Sequence, residues 1–167
     1  MLTRDDLLQE LEQEAPATRR VLERVPEEQL DWRPHEKSLT LGQLAMHVAT
    51  LPGQIAQLSM QETFNVSNGI PRPSAGSTAE LLAALDESLA SARKIVGSMD
   101  DAALASTWRM VDGERELLAI PRGAFLRSVM LNHWYHHRGQ LMVYLRQTGA
   151  LVPAVYGDSA DEKPVFA

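Results

Sequence analysis

Apolar side chains recur every three or four residues in four stretches of this chain, the period of one buried helix face. In the first stretch Leu7, Leu8, Leu11, Ala15, Thr18, Leu22 and Val25 form the stripe. Thr3 stands before it with Asp6 three residues on, a box-like N-terminal cap. Pro16 lies inside, where it removes a backbone bond and crowds the carbonyl of Glu12, so a kink is expected. Pro26 is expected to close the helix, and residues 27–37, with Trp32 and Pro34, read as a connecting turn.

The second stretch starts sharply at a Thr40-x-x-Gln43 capping box. Leu41, Leu44, Val48, Leu51, Ile55 and Leu58 then make a seam, with His47 at its edge. Pro52-Gly53 is expected to bend or interrupt this helix. Residues 65–77, with Asn68-Gly69, prolines and serines, read as a loop. Ser77 caps the third stretch with Glu80 as partner, and Leu81, Leu82, Leu85, Leu89, Ala92, Val96 and Met99 carry the stripe to about Asp100.

The period then changes. Residues 107–120 hold apolar residues either side of Asp112-Gly113, a hairpin-turn dipeptide, so a short hairpin or extended excursion is predicted. Pro121 suits the first turn of a final helix running to about Thr148, with Gly149 just past its end and Pro153 beyond. On an uninterrupted helix the inward positions are Leu126, Met130, His133, His137, Leu141, Tyr144 and Thr148. Gly139 falls mid-helix, which suggests close approach by a neighbouring helix. The expected fold is all-α: a four-helix bundle with a long crossover connection and the short hairpin before its last helix. The 167 residues suit a single domain, 1–167, whose polar end from Pro153 reads as a partly mobile surface tail.

Composition narrows the chemistry. There is no cysteine, hence no disulfide, no thiolate nucleophile and no thiolate-bound metal. A formal charge of −6 and the lack of a basic run argue against nucleic acid as a partner. No apolar run reaches the ~18 residues of a membrane span, and the first residues lack a signal-peptide core, so a cytoplasmic protein with no membrane partner is expected.

Three of the five histidines fall in the segment His133-Trp134-Tyr135-His136-His137. His133 and His137, four apart, stack on one helix face about 6 Å apart at Cβ. Two such imidazoles can share a metal ion, with His47 the candidate third ligand. The alternative is a set of hydrogen-bonded core histidines, and the residues alone leave both open. His136 points about 100° away from His137 and reads as a surface residue. His35, in a turn, reads as solvated, and Arg138 as a surface or interhelix ion-pair partner. No zincin glutamate lies between His133 and His137, and neither a nucleophile elbow nor a phosphate loop occurs.

The run His133-x-x-x-His137-Arg138-Gly139-Gln140-Leu141, followed by Tyr144-Leu145-Arg146, Gly149, Pro153 and Tyr156-Gly157, resembles the DinB/YfiT-like superfamily of metalloenzymes. Leu39-Thr40-Leu41-Gly42-Gln43-Leu44-Ala45 leading to His47, and Trp32-Arg33-Pro34 before it, extend the resemblance over nearly the whole chain. It implies a four-helix bundle with a divalent ion, nickel or zinc, held by His47, His133 and His137, often in a homodimer, and no DNA binding. Three protein ligands leave a coordination position open, the mark of a catalytic site. There a water or a thiol can be activated. Characterised members of the superfamily include thiol-dependent S-transferases and an isomerase. The expected function is therefore a metal-dependent transferase using a low-molecular-weight thiol and a small-molecule substrate. A metal-dependent hydrolase and a non-catalytic metal-binding stress-response protein are the alternatives.

Overall fold

The computed structural model describes residues 2–69 and 71–163. Its long helices are α1 (Arg4–Leu22), α2 (Leu41–Ser59), α3 (Thr78–Gly97) and a composite last helix. The composite consists of α5 (Arg122–Phe125), a π-helical stretch (Leu126–Asn132) and α6 (His133–Gln147), and the short α4 (Asp101–Ala105) precedes it. The caps act as the sequence predicts. The Thr3 and Thr40 side chains accept from the backbone N–H of Asp6 and Gln43, whose own side chains bond back. Ser77 caps α3 through the N–H of Glu80, while the Glu80 carboxylate turns to the N–H of Gly76. Gly149 has φ +79°, as expected past the last helix. Helix α1 stops at Leu22, short of Pro26, and α3 stops at Gly97, leaving Asp100 to cap α4.

Helix α2 runs on through Pro52-Gly53, and α1 through Pro16. In α2 the missing proline N–H is compensated from outside. Pro52 leaves the carbonyl four residues back, that of Val48, without its helical donor. The Trp134 indole N–H donates to that oxygen at 2.9 Å. The Gly53 N–H donates to Ser88 Oγ at 2.8 Å, and Ser88 Oγ donates to Thr50 O at 3.0 Å. A Cβ on Gly53 would lie 2.8 Å from the Ser88 carbonyl oxygen, so this glycine sets how closely α2 and α3 approach. The expectation of close approach at Gly139 is corrected: a Cβ there would meet nothing within 4 Å.

The all-α expectation also needs correction, because a three-stranded sheet is present. Strand β1 (Thr63–Asn65) lies parallel to β2 (Thr107–Asp112), which pairs antiparallel with β3 (Arg115–Pro121). The β2–β3 hairpin turns at Gly113, φ +61°, as the Asp-Gly dipeptide predicts. Strand β1 falls largely in a segment with no strand pattern of its own. Its order comes from pairing with residues more than forty positions away, Thr63 with Arg109 for example. Trp108 anchors the sheet: fully buried, it stacks on Phe125 at 3.7 Å between ring centroids and donates to Leu58 O at 3.1 Å.

The π-helical stretch changes which face of the last helix is inward. Each residue inserted into an α-helix rotates everything after it by about 100°. The buried positions are Leu126, Met130, Leu131, Trp134, Arg138, Leu141 and Leu145: Leu126, Met130 and Leu141 are inward as an uninterrupted helix predicts, whereas Leu131, Trp134, Arg138 and Leu145 take the places expected of His133, His137, Tyr144 and Thr148. His133 and His137 sit half-buried at the edge of that face. The segment after Pro153 is also more tightly held than expected. Asp161 accepts the N–H of Val152 at 2.8 Å and pairs with Arg146 at 2.6 Å. Glu162 pairs with Arg20 at 2.5 Å and Arg24 at 2.6 Å, tying this segment to α1.

Candidate metal centre

His47 comes from α2, His133 and His137 from α6, and the residue after each is pinned. Val48, after His47, is the acceptor for Trp134, which follows His133. One hydrogen bond thus fixes the two helices at the point where their histidines meet. Arg138, after His137, is 2% exposed and is held by α1. It donates to the Glu14 carboxylate at 2.6 Å, the Glu14 carbonyl at 3.3 Å and Thr18 Oγ1 at 3.1 Å, and also to the Tyr156 hydroxyl. Arg138 is therefore an interhelix partner in the core and not a surface cation. Buried pairs of this kind are weak net stabilisers but costly to break.

The three imidazoles converge. Ring centroids are 4.5 Å apart for His47–His137 and for His133–His137, and 5.4 Å for His47–His133. One nitrogen from each ring lies within 4.8 Å of the others. The Nε2 atoms of His133 and His137 face each other at 2.7 Å. His47 Nε2 is buried without any hydrogen-bond partner among the described residues. On the far side of its ring, His137 Nδ1 bonds to Gln140 Oε1 at 2.7 Å. An amide oxygen only accepts, so the proton sits on Nδ1 and the Nε2 lone pair points into the cluster.

The electrostatics keep these rings neutral. Burial lowers the His47 pKa to about 3, helped by the neighbouring His137 and His133 and by Arg72. Burial also lowers His133 to about 4, again with His137, His136 and Arg72 acting in the same direction. His137 is lowered by burial, against the upward pull of its bond to Gln140. Three neutral imidazoles can share at most one N–H between two facing nitrogens, which leaves the buried His47 nitrogen unsatisfied at a cost of ~1–3 kcal/mol. A divalent cation accepts all three lone pairs. In a tetrahedral zinc shell ligand nitrogens lie about 3.3 Å apart, within the span available here. The donor set therefore fits such an ion.

The other two histidines lie outside this group. His136 is exposed with its ring 4.9 Å from that of His137, and His35 is exposed and accepts the N–H of Lys37. A cleft of about 410 Å³ opens beside the cluster, with His47 and His133 in its wall. Ile55, Leu58 and Phe64 make it apolar, and the Pro71-Arg72-Pro73 loop borders it. Sequence reasoning did not reach Gln140, Trp134 or Arg72 as parts of this site. Only the His-x-x-x-His-x-x-Gln spacing, which puts Gln140 one turn beyond His137, carried a signal for one of them.

A family model described as the DinB family matches residues 1–163. The chain belongs to the DinB family. It is 29% identical over 175 residues to an uncharacterized protein, YrdA, of Bacillus subtilis, across 98% of this chain and 94% of that one. A crystal structure of a DinB-like protein from Bacillus cereus is similar with a TM-score of 0.74 and 24% identity, over 93% of this chain and 99% of the other. The DinB-like YjoA of Bacillus subtilis gives a TM-score of 0.67 at 17% identity, over 89% of this chain and 96% of the other. At these identities the two structures establish a shared DinB-like fold and nothing about activity.

Proposed function

We propose that this DinB-family protein is a metal-dependent enzyme in which His47, His133 and His137 hold one divalent ion, nickel or zinc, and that it transfers a low-molecular-weight thiol. The observation that carries the proposal is the meeting of three neutral imidazoles at the wall of an apolar cleft. Three ligands leave room for a fourth, and the cleft leads to it. A bound ion would supply Lewis acidity, lowering the pKa of a thiol or a water molecule near neutral pH. The chain's own residues do the rest. Gln140 orients His137, Trp134 locks α6 onto α2 beside the cluster, and Ile55, Leu58 and Phe64 exclude water from the cleft. With no cysteine in the chain, the thiol must come from a diffusing molecule.

The proposal takes the chain as one domain whose four long helices form a four-helix bundle, a cytoplasmic homodimer joined through a helix face. Among the described residues no helix is long and apolar enough to cross a membrane. Val143 on α6 is 57% exposed and offers apolar surface for such a contact. The test is direct. Metal-loaded protein, substituted with cobalt, should change its visible spectrum on addition of thiols and should accelerate their addition to an electrophile. Metal-dependent ester or amide cleavage without a thiol effect would instead make it a hydrolase. Neither activity, with metal bound, would make it a binding protein.

A further inference from the structure

Among the described residues, one cation borders the cleft with nothing to neutralise it. Arg72 is exposed and its guanidinium forms no hydrogen bond or ion pair among the described residues. Its position is nevertheless constrained. Pro71 and Pro73 restrict the backbone on either side, and the Arg72 carbonyl accepts from Gln43 Nε2 at 3.4 Å, tethering the loop to the first turn of α2. It lines the same cleft as His47 and His133. An unpaired guanidinium at the wall of an apolar cleft suits an anionic group on whatever occupies that cleft. Gln54 lies in the same wall, and its side-chain amide likewise makes no hydrogen bond among the described residues.

We propose that Arg72 is the specificity-determining residue of the cleft, and that the ligand is a small molecule with an apolar body and one carboxylate. This rests on the enzyme proposal only in placing the ligand in that cleft. The guanidinium fork matches a carboxylate in two parallel hydrogen bonds. A single guanidinium balances one negative charge, whereas a phosphate monoester carries nearly two. Ile55, Leu58 and Phe64 take the hydrocarbon portion, and a volume of about 410 Å³ suits a small organic acid.

The experiment is calorimetry on the full-length, metal-loaded protein with two matched pairs of probes: 3-mercaptopropionate against 3-mercaptopropanamide, and butyrate against butyramide. The native protein should prefer each acid to its amide by roughly tenfold or more. Arg72→Gln should bring the two within about twofold at unchanged metal content, and Arg72→Lys should keep only part of the preference. An acid preference that survives in Arg72→Gln, or no preference in the native protein, overturns the proposal. If the butyrate preference depends on Arg72 while neither thiol perturbs the metal, the carboxylate site stands and the thiol reaction falls. Thiols that perturb the metal equally as acid and amide leave the reaction standing and remove the role of Arg72.

Discussion

An imidazole that stays neutral in a half-buried site offers a lone pair at every physiological pH, and burial separates the three clustered histidines from the two exposed ones. Replacing His47, His133 or His137 by alanine should abolish stoichiometric metal binding, whereas His136→Ala should leave the metal content near native by elemental mass spectrometry. Equal loss from all four would remove the ligand assignment. Gln140→Leu should weaken affinity by roughly 10–100-fold, because the proton on His137 Nδ1 loses its acceptor. The pH dependence of the metal-free protein follows from the same rings. Unfolded, a histidine takes up its proton near pH 6.5. Folded, His133 does so at about 4 and His47 at about 3. Between these values the unfolded chain binds more protons, so stability is full above about pH 6.5 and falls as pH drops through that window. Urea midpoints at pH 7.5 and 5 should show the loss, and His47→Leu should reduce it; a midpoint independent of pH would contradict the burial of these rings.

At the scale of elements, two glycines separate packing from propensity. Gly53→Ala should destabilise by about 1–3 kcal/mol, since its methyl meets the backbone of α3. Gly139→Ala should stabilise by roughly 0.5–1 kcal/mol, since its methyl meets open space on a helix. Paired thermal melts check both signs, and a stabilised Gly53 variant would mean that α2 and α3 are not held at the distance described. Trp134 joins elements in another way. It fills the core and satisfies the carbonyl that Pro52 leaves free. Trp134→Ala should cost about 3–5 kcal/mol, and it should lower metal affinity as well because α6 is no longer locked beside His47. Trp134→Phe restores most of the packing but not the donor, so it should recover stability in part and leave the Val48 carbonyl bare.

The whole molecule combines short-range and long-range information, and the two are legible to different degrees. Light scattering at tens of micromolar tests the assembly; a monomer mass would remove the proposed homodimer. Helix starts at Thr3, Thr40 and Ser77, the hairpin at Asp112-Gly113 and the stop at Gly149 are written in the sequence, because a cap or turn is satisfied by residues within four positions. The His133–His137 pair is equally local, since helical spacing alone stacks the two side chains. Its meeting with His47 was one of two readings the residues left open, and the motif resemblance favoured it. Tertiary structure decided the rest. Strand β1 exists through a pairing with distant Arg109, Met110 and Val111. The π-helical stretch rotates α6 so that Trp134 and Arg138 turn inward and the histidines take the edge, a displacement that residue spacing does not encode. The cleft, with Arg72 beside it, forms only where α2, the Pro71-Arg72-Pro73 loop and α6 come together. Local hydrogen bonds and side-chain periodicity thus determined the pieces, while burial and long-range pairing determined which faces of those pieces meet.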